Sequence, residues 1–235
     1  MASLKPIKIY KSGPSPNPWK VAIILEELGL PYELVQTPFS EIKKEPFISL
    51  NPNGRLPAMI DPNRDDITLF ESGAIIDYLV DVYDEDAKLH YTSFREKYLT
   101  RSWEHFQMSG QGPYFGQKGW FVLFHPEKVQ SAIDRYDGEI RRVIGVVDAH
   151  LAKQGTPYLV GDRITYADLM FITWFRLAED PVMSPDLDTT QWPRYRAWLD
   201  GMVARPAVAR VLARQDEDRQ ALNKERAGSA AEAAK

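Results

Sequence analysis

Every strand-like run in this 235-residue chain falls before residue 71, and from about residue 92 onward the apolar spacing is helical. That asymmetry restricts the chain to a small mixed sheet followed by an all-helical part. Ile7-Lys8-Ile9-Tyr10 reads as a strand. Val21, Ile24, Leu25 and Leu28 then recur at helical spacing, closed by Gly29 as a C-terminal cap. Tyr32 to Gln36 is a second strand. Ala58-Met59-Ile60 and Thr68-Leu69-Phe70 are two more, joined by the polar stretch from Asp61 to Asp66. Ile75, Ile76, Leu79, Val80 and Tyr83 line one face of the helix that follows.

This β-α-β then β-β-α order is that of an α/β thioredoxin-like domain, expected over residues 1–84, with a polar linker at 83–91. An all-α domain is expected over 92–214, with helices at 93–116, 126–153, 165–180, 190–200 and 205–214. One helix start is sharply marked: Thr165 and Asp168 form a capping box, and Ile164 can staple against Leu169. The segment 215–235 is charged and alanine-rich, without an apolar stripe, and reads as frayed helix or a flexible, disordered tail.

Composition narrows the function classes. The net charge of −4 has both signs interspersed, which is no footprint for nucleic acid. There is no cysteine, so the chain can form no disulfide, thiolate metal site or thiol nucleophile of its own. The four histidines, His90, His105, His125 and His150, are too scattered for a ligand set, and no metal is expected. No apolar run approaches membrane-spanning length, so a soluble cytoplasmic protein is expected.

Two segments look unlike ordinary core. Asn51-Pro52-Asn53-Gly54-Arg55-Leu56-Pro57 is a turn feeding a strand, and Leu56-Pro57 is a candidate cis peptide that would hold the Leu56 backbone toward a cleft. Glu71-Ser72-Gly73-Ala74 puts an acid and a hydroxyl at the start of a helix, where backbone N–H groups and the helix dipole seat a carboxylate. A backbone clamp and an anion seat this close together suggest a small peptide-like ligand.

With these motifs the chain resembles the glutathione transferases over residues 7–214. Within them it is similar to the fungal branch related to the yeast nitrogen-catabolite regulator. The resemblance rests on Ser15-Pro16-Asn17-Pro18-Trp19-Lys20-Val21-Ala22, Phe47 to Asn53, Glu71 to Ile75, and Ser109-Gly110-Gln111-Gly112-Pro113 with Gly116-Gln117 and Arg141-Arg142-Val143. It implies glutathione as co-substrate and a homodimer. By position, the Leu56 backbone beside Pro57 would pair with the cysteinyl part of glutathione, and Glu71 with Ser72 would hold the γ-glutamyl end. Lys43 or Lys44 would grip the glycyl carboxylate.

Glutathione acts as a thiolate, and a free thiol with a pKa near 8.5 is only about 3% ionised at pH 7. Lowering that value by two units takes roughly 2.7 kcal/mol of preferential stabilisation of the anion. A hydrogen bond to sulfur plus a helix N-terminus can supply it. The candidate donors are Ser15 and Asn17, with Tyr10 a lesser one that reads as a strand-end residue. Asn17-Pro18 also reads as the N-cap and first residue of the helix. Against the helical half, Gln111, Tyr114, Phe115 and Trp120 are candidate acceptor-site residues for an apolar small molecule.

The resulting expectation is a transferase whose bound thiolate attacks an apolar electrophile. The same thiolate also suits cis/trans isomerisation of a conjugated double bond, for example in a biosynthetic or secondary-metabolic pathway, or reduction of peroxides and disulfides. A non-catalytic regulator on the same fold is the reading from another class. It is disfavoured because this chain begins only six residues before its first strand, without the yeast regulator's Asn/Gln-rich extension.

Overall fold

The computed structural model describes residues 4–233; residues 1–3 and 234–235, at the ends of the expected first domain and tail, lie outside the described residues. The chain divides into two compact units, one of residues up to Leu79 together with those from Arg205 on, the other Val80–Ala204.

The first unit follows the order β1 (Ile7–Lys11), α1 (Pro16–Leu28), β2 (Tyr32–Gln36), α2 (Phe47–Leu50), β3 (Ala58–Asp61), β4 (Ile67–Phe70) and α3 (Ser72–Tyr83), whose last turn counts with the second unit. The sheet order is β2-β1-β3-β4, with β1 and β2 parallel and the other neighbours antiparallel. Strand alternation in β1 puts Ile7 and Ile9 in the buried core. Tyr10 faces the opposite way, edge-on to Phe47 of α2 in a small cluster with Ile42, Leu50, Leu56 and Ala58. The short helix α2 has no periodic signature and was not expected from the sequence. Asp61, wholly buried at the end of β3, accepts a 2.7 Å bond from the Tyr78 hydroxyl and so ties the sheet to α3.

The same unit is completed by the chain's last helix. The segment expected as a short helix at 205–214 and a flexible tail is one continuous helix, Pro206–Ala233, and it belongs with the sheet unit rather than the helical one. It runs antiparallel to α1: Arg205 pairs bidentately with Glu27, Arg210 with Glu26, and farther along Gln215 donates to the Pro14 carbonyl at 3.0 Å. Val208, Val211 and Leu212 are buried on its inner face. Burying such side chains is worth about 1.5–3 kcal/mol each, whereas partly exposed ion pairs contribute about 0–1. The apolar stripe therefore holds the helix down, and the arginines fix its register. Arg214 reaches the Tyr32 hydroxyl at 2.8 Å; burial pushes that phenol up to about 12, against the pull of Arg214, so it stays neutral.

The second unit contains α4 (Phe94–Phe106), a π-helical turn (Gln107–Gln111), α5 (Gly112–Leu123), α6 (Gln130–Gln154), α7 (Tyr166–Met170), α8 (Ile172–Ala178), a 3₁₀ turn (Thr189–Gln191) and α9 (Pro193–Val203), so the final helix is α10. Its core centres on Phe171, Phe175, Tyr195 and Trp198, whose rings meet at 4.8–6.3 Å. The capping box at Thr165 and Asp168 is present. Asp168 is wholly buried and accepts from the backbone of Leu159 and Thr165, the Thr165 hydroxyl and the Trp198 indole. Burial pushes its carboxyl above the usual range, and those four donors oppose the shift. The expected helix at 165–180 is broken at Phe171, and that at 93–116 is interrupted by the π turn.

Candidate functional site

The sheet register gathers the sequence motifs of the first unit. β3 and β4 pair Ala58 with Phe70, so one step farther Pro57 lies opposite Glu71. β1 and β3 pair Ile9 with Met59, so two steps farther Lys11 lies opposite Pro57, while Lys11 also pairs Gln36 of β2. Four connections thus leave the sheet at one end: the 12–15 loop into α1, the 37–46 loop, the 51–57 turn and the entry to α3.

The 51–57 turn is built by Asn51. Its side chain donates to the Arg55 carbonyl at 2.6 Å and accepts from the Asn53 amide at 2.9 Å. The Leu56–Pro57 peptide is cis, as the sequence indicated. Gly54 has a φ of +60°, and a Cβ there would come within 3.1 Å of both the Ile42 carbonyl and the Lys43 side chain. Only glycine lets the 42–43 loop lie this close to the turn. That separates the two lysines: the Lys43 stem rests on the turn, whereas the Lys44 ammonium pairs with Glu41 at 3.1 Å.

At the entry to α3, Glu71 rather than Ser72 takes the cap position, its carbonyl accepting from the Ile75 amide at 2.9 Å. Glu71 has a φ of +67°, in the left-handed region a non-glycine side chain rarely occupies. Backbone strain of this kind costs on the order of 1–3 kcal/mol and collects at functional sites. Its exposed carboxylate is met by the Asn53 side chain at 3.4 Å, and Ser72 beside it is buried.

The α1 entry departs from the sequence expectation. The helix starts two residues earlier, with Ser15 as N-cap, Pro16 first, Asn17 second and Pro18 third. Two prolines in the first three positions remove two of the amide donors that a helix start offers, leaving Asn17's as the backbone N–H of that stretch. Ser15 caps nothing with its side chain: its Oγ is enclosed and has no hydrogen-bond partner among the described residues. Behind the loop, Trp19 donates to the Gly13 carbonyl at 2.9 Å, and the Lys11 ammonium lies 5.1 Å from the Trp19 ring centre while pairing with Asp218 of α10.

In the second unit the structure separates the acceptor-site candidates. Gln111 and Phe115 are wholly buried and present no surface to a ligand. The π turn rotates Gln111 inward, where it accepts from Gln107 at 3.0 Å and donates to the Phe171 carbonyl at 3.1 Å; Phe115 packs on Phe175. Gly116 serves packing: a Cβ there would sit 3.3 Å from the Trp174 ring. Tyr114 is half-buried against Tyr136, and Trp120 is 49% exposed, stacked on Phe124. Sequence reasoning missed Lys11, Gln215 and Asp218. The signal was present, because 208, 211, 212 and 215 follow one helical stripe.

Comparison with known proteins agrees with this architecture. Residues 5–81 match the glutathione S-transferase N-terminal domain and residues 113–206 the C-terminal domain. The chain is 51% identical over 215 residues to the glutathione S-transferase-like protein OpS6 of Beauveria bassiana, covering 91% of this chain and 97% of that one. The structure of the glutathione transferase URE2P6 from Phanerochaete chrysosporium, in complex with oxidized glutathione, superposes with a TM-score of 0.86 at 42% identity, over 91% and 98% of the two chains. Ure2p5 from the same fungus, cocrystallized with 1-(S-glutathionyl)-2,4-dinitrobenzene, gives 0.83 at 37% identity, over 91% and 96%. The chain therefore belongs to the glutathione transferase family, in its fungal Ure2-like branch.

Proposed function

We propose that this protein is a glutathione transferase that binds glutathione at the sheet end described above and presents its sulfur as a thiolate to an apolar electrophile. The observation that carries the reading is the register that gathers the Leu56-Pro57 turn, the strained Glu71 and the α1 entry at one end of the sheet. In this reading the Leu56 backbone pairs with the cysteinyl residue, Glu71 and Ser72 hold the γ-glutamyl end, and Lys43 rather than Lys44 meets the glycyl carboxylate.

Asn17 is the better candidate for the sulfur. The enclosed Ser15 oxygen presents no surface, whereas Asn17 stands partly exposed in the first turn with its own amide between two prolines. Donors there stabilise the anion preferentially and lower the thiol pKa. The thiolate then forms a carbon–sulfur bond while the leaving group departs with the electron pair of the bond it breaks. Of the acceptor-site candidates, Tyr114 and Trp120 remain available. A conjugate of dinitrobenzene bound to Ure2p5 favours aromatic electrophiles as first probes. Family membership further supports a homodimer in the cytoplasm, which sedimentation and fractionation would check.

The test pairs calorimetric titration with glutathione and a conjugation assay on 1-chloro-2,4-dinitrobenzene. Binding with turnover is expected. Binding without turnover turns the reading toward isomerisation, reduction or regulation, and absence of binding overturns the site.

A further inference from the structure

The helix α10 does more than cover α1. Arg205 and Arg210 engage the C-terminal half of α1, whereas Gln215 and Asp218 reach the segment that precedes α1. Gln215 is only 1% exposed, and its side-chain nitrogen donates at 3.0 Å to the Pro14 carbonyl, one residue before the N-cap. Three residues farther along, one helical turn away, Asp218 pairs with Lys11, the last residue of β1. Lys11 also lies against Trp19, whose indole holds the Gly13 carbonyl. The 11–15 loop is thus fastened at both ends by one face of α10 and in the middle by Trp19.

That loop needs fastening. It contains Gly13 at a φ of +47°, and the helix it leads into carries Pro16 and Pro18, which remove two of the N–H donors that a capping side chain could hold. A long buried amide side chain is entropically costly to order, and among the described residues only one of its two polar atoms is satisfied, since the Gln215 side-chain oxygen is buried with no partner among them. An apolar residue would stabilise the α1–α10 contact more, so a glutamine at this place suits a positional task.

We infer that Gln215, seconded by Asp218, is a positioning residue that holds the Pro14–Asn17 segment so that Asn17 keeps its place at the sulfur of bound glutathione. The inference rests on the sulfur-site reading above and deepens it by assigning control of the α1 entry to the C-terminal helix.

The test compares Gln215→Leu, which keeps the volume and removes both polar atoms, with Val208→Ala, which weakens the same helix contact away from the loop. Three quantities are read in the full-length protein: amide exchange over residues 12–19, the pKa of the bound glutathione thiol by ultraviolet titration, and steady-state constants with 1-chloro-2,4-dinitrobenzene. For Gln215→Leu, exchange at 12–19 should quicken about tenfold. The bound-thiol pKa should rise by about half to one unit, with kcat falling about threefold to tenfold and KM for glutathione moving less than about twofold. Val208→Ala should lose several degrees of melting temperature and move neither the exchange nor the pKa. Asp218→Asn should follow Gln215→Leu in direction with smaller size, and it decides the matter alone if the leucine variant does not fold.

Unchanged exchange at 12–19, or equal changes in Gln215→Leu and Val208→Ala, would overturn the positioning role while leaving the sulfur site intact. A looser loop with an unmoved thiol pKa would overturn it differently, showing that the loop is held by Gln215 but does not set the sulfur. If wild-type protein binds glutathione without lowering its thiol pKa, the sulfur-site reading itself fails and this inference with it.

Discussion

Two helix starts face the same end of the sheet and are built in opposite ways. The first turn of α3 keeps all its amides, at Ser72, Gly73 and Ala74, and is entered through a strained acid. The first turn of α1 has proline at its first and third positions and keeps only the amide of Asn17. A carboxylate spreads charge over two oxygens and is held best by several convergent donors. A sulfur anion that must react cannot be held as tightly, because nucleophilicity declines as the thiol pKa is lowered. Under the proposed function, the difference divides binding from activation: the donor-rich start is the one assigned to grip, and the donor-poor start the one assigned to activate without quenching.

That division can be broken by mutation. The largest effect is expected at the gripping end. Ser72→Ala should weaken glutathione binding about ten- to hundredfold by calorimetry, the worth of a hydrogen bond to a charged group, with the bound-thiol pKa unmoved. A moved pKa would show that the two starts are not separate. At the activating end, Asn17→Ala should raise the bound-thiol pKa by about one unit and carry the acid limb of the conjugation rate upward with it, as about 1.4 kcal/mol of anion stabilisation is lost. Affinity for glutathione at low pH should be nearly kept; a large loss would place Asn17 among the gripping residues.

Glu71→Gly separates strain from binding. Glycine accepts a φ of +67° freely, so the variant should melt a few degrees higher, gaining about 1 kcal/mol, while losing affinity for the γ-glutamyl end. Lower stability together with lower affinity would mean that the carboxylate's contact to Asn53 matters more than the strain. The smallest effect is expected for Ser15→Ala. Removing an enclosed, unpartnered hydroxyl should leave the thiol pKa in place and raise stability by no more than about 1 kcal/mol, read by denaturant titration. A raised thiol pKa would return Ser15 to the sulfur.

The 51–57 turn and the α3 entry were far more legible in the sequence than the α1 entry. Asn51 to Pro57 and Glu71-Ser72 are local motifs: turn chemistry, a cis proline and a helix entry are all written in consecutive residues. The sheet could be read for the same reason, since period-two alternation and Gly29 bounded its strands to within a residue. What was misplaced depends on distant partners. The α1 start shifted from Asn17 to Ser15 because three alternating prolines offer several equivalent registers, and tertiary packing of Trp19 chooses among them. Gln111 and Phe115 read as cleft residues because Gly112 and Gly116 resemble a loop, yet Gly116 packs closely under Trp174, far away in sequence. The charged segment after Arg214 looked like a tail because its one buried amide, Gln215, is a polar residue in an apolar stripe.

The excursion of the chain through the second unit before it returns as α10 has a consequence for biogenesis. A ribosome delivers the strands and α1 first, but the helix that covers α1 and fastens its entry emerges only after the whole of Val80–Ala204 has been made. At ordinary elongation rates that interval is on the order of ten seconds. Throughout it the nascent sheet carries the surface that Val208, Val211 and Leu212 will later bury, a hydrophobic face open to chaperones and to neighbouring nascent chains.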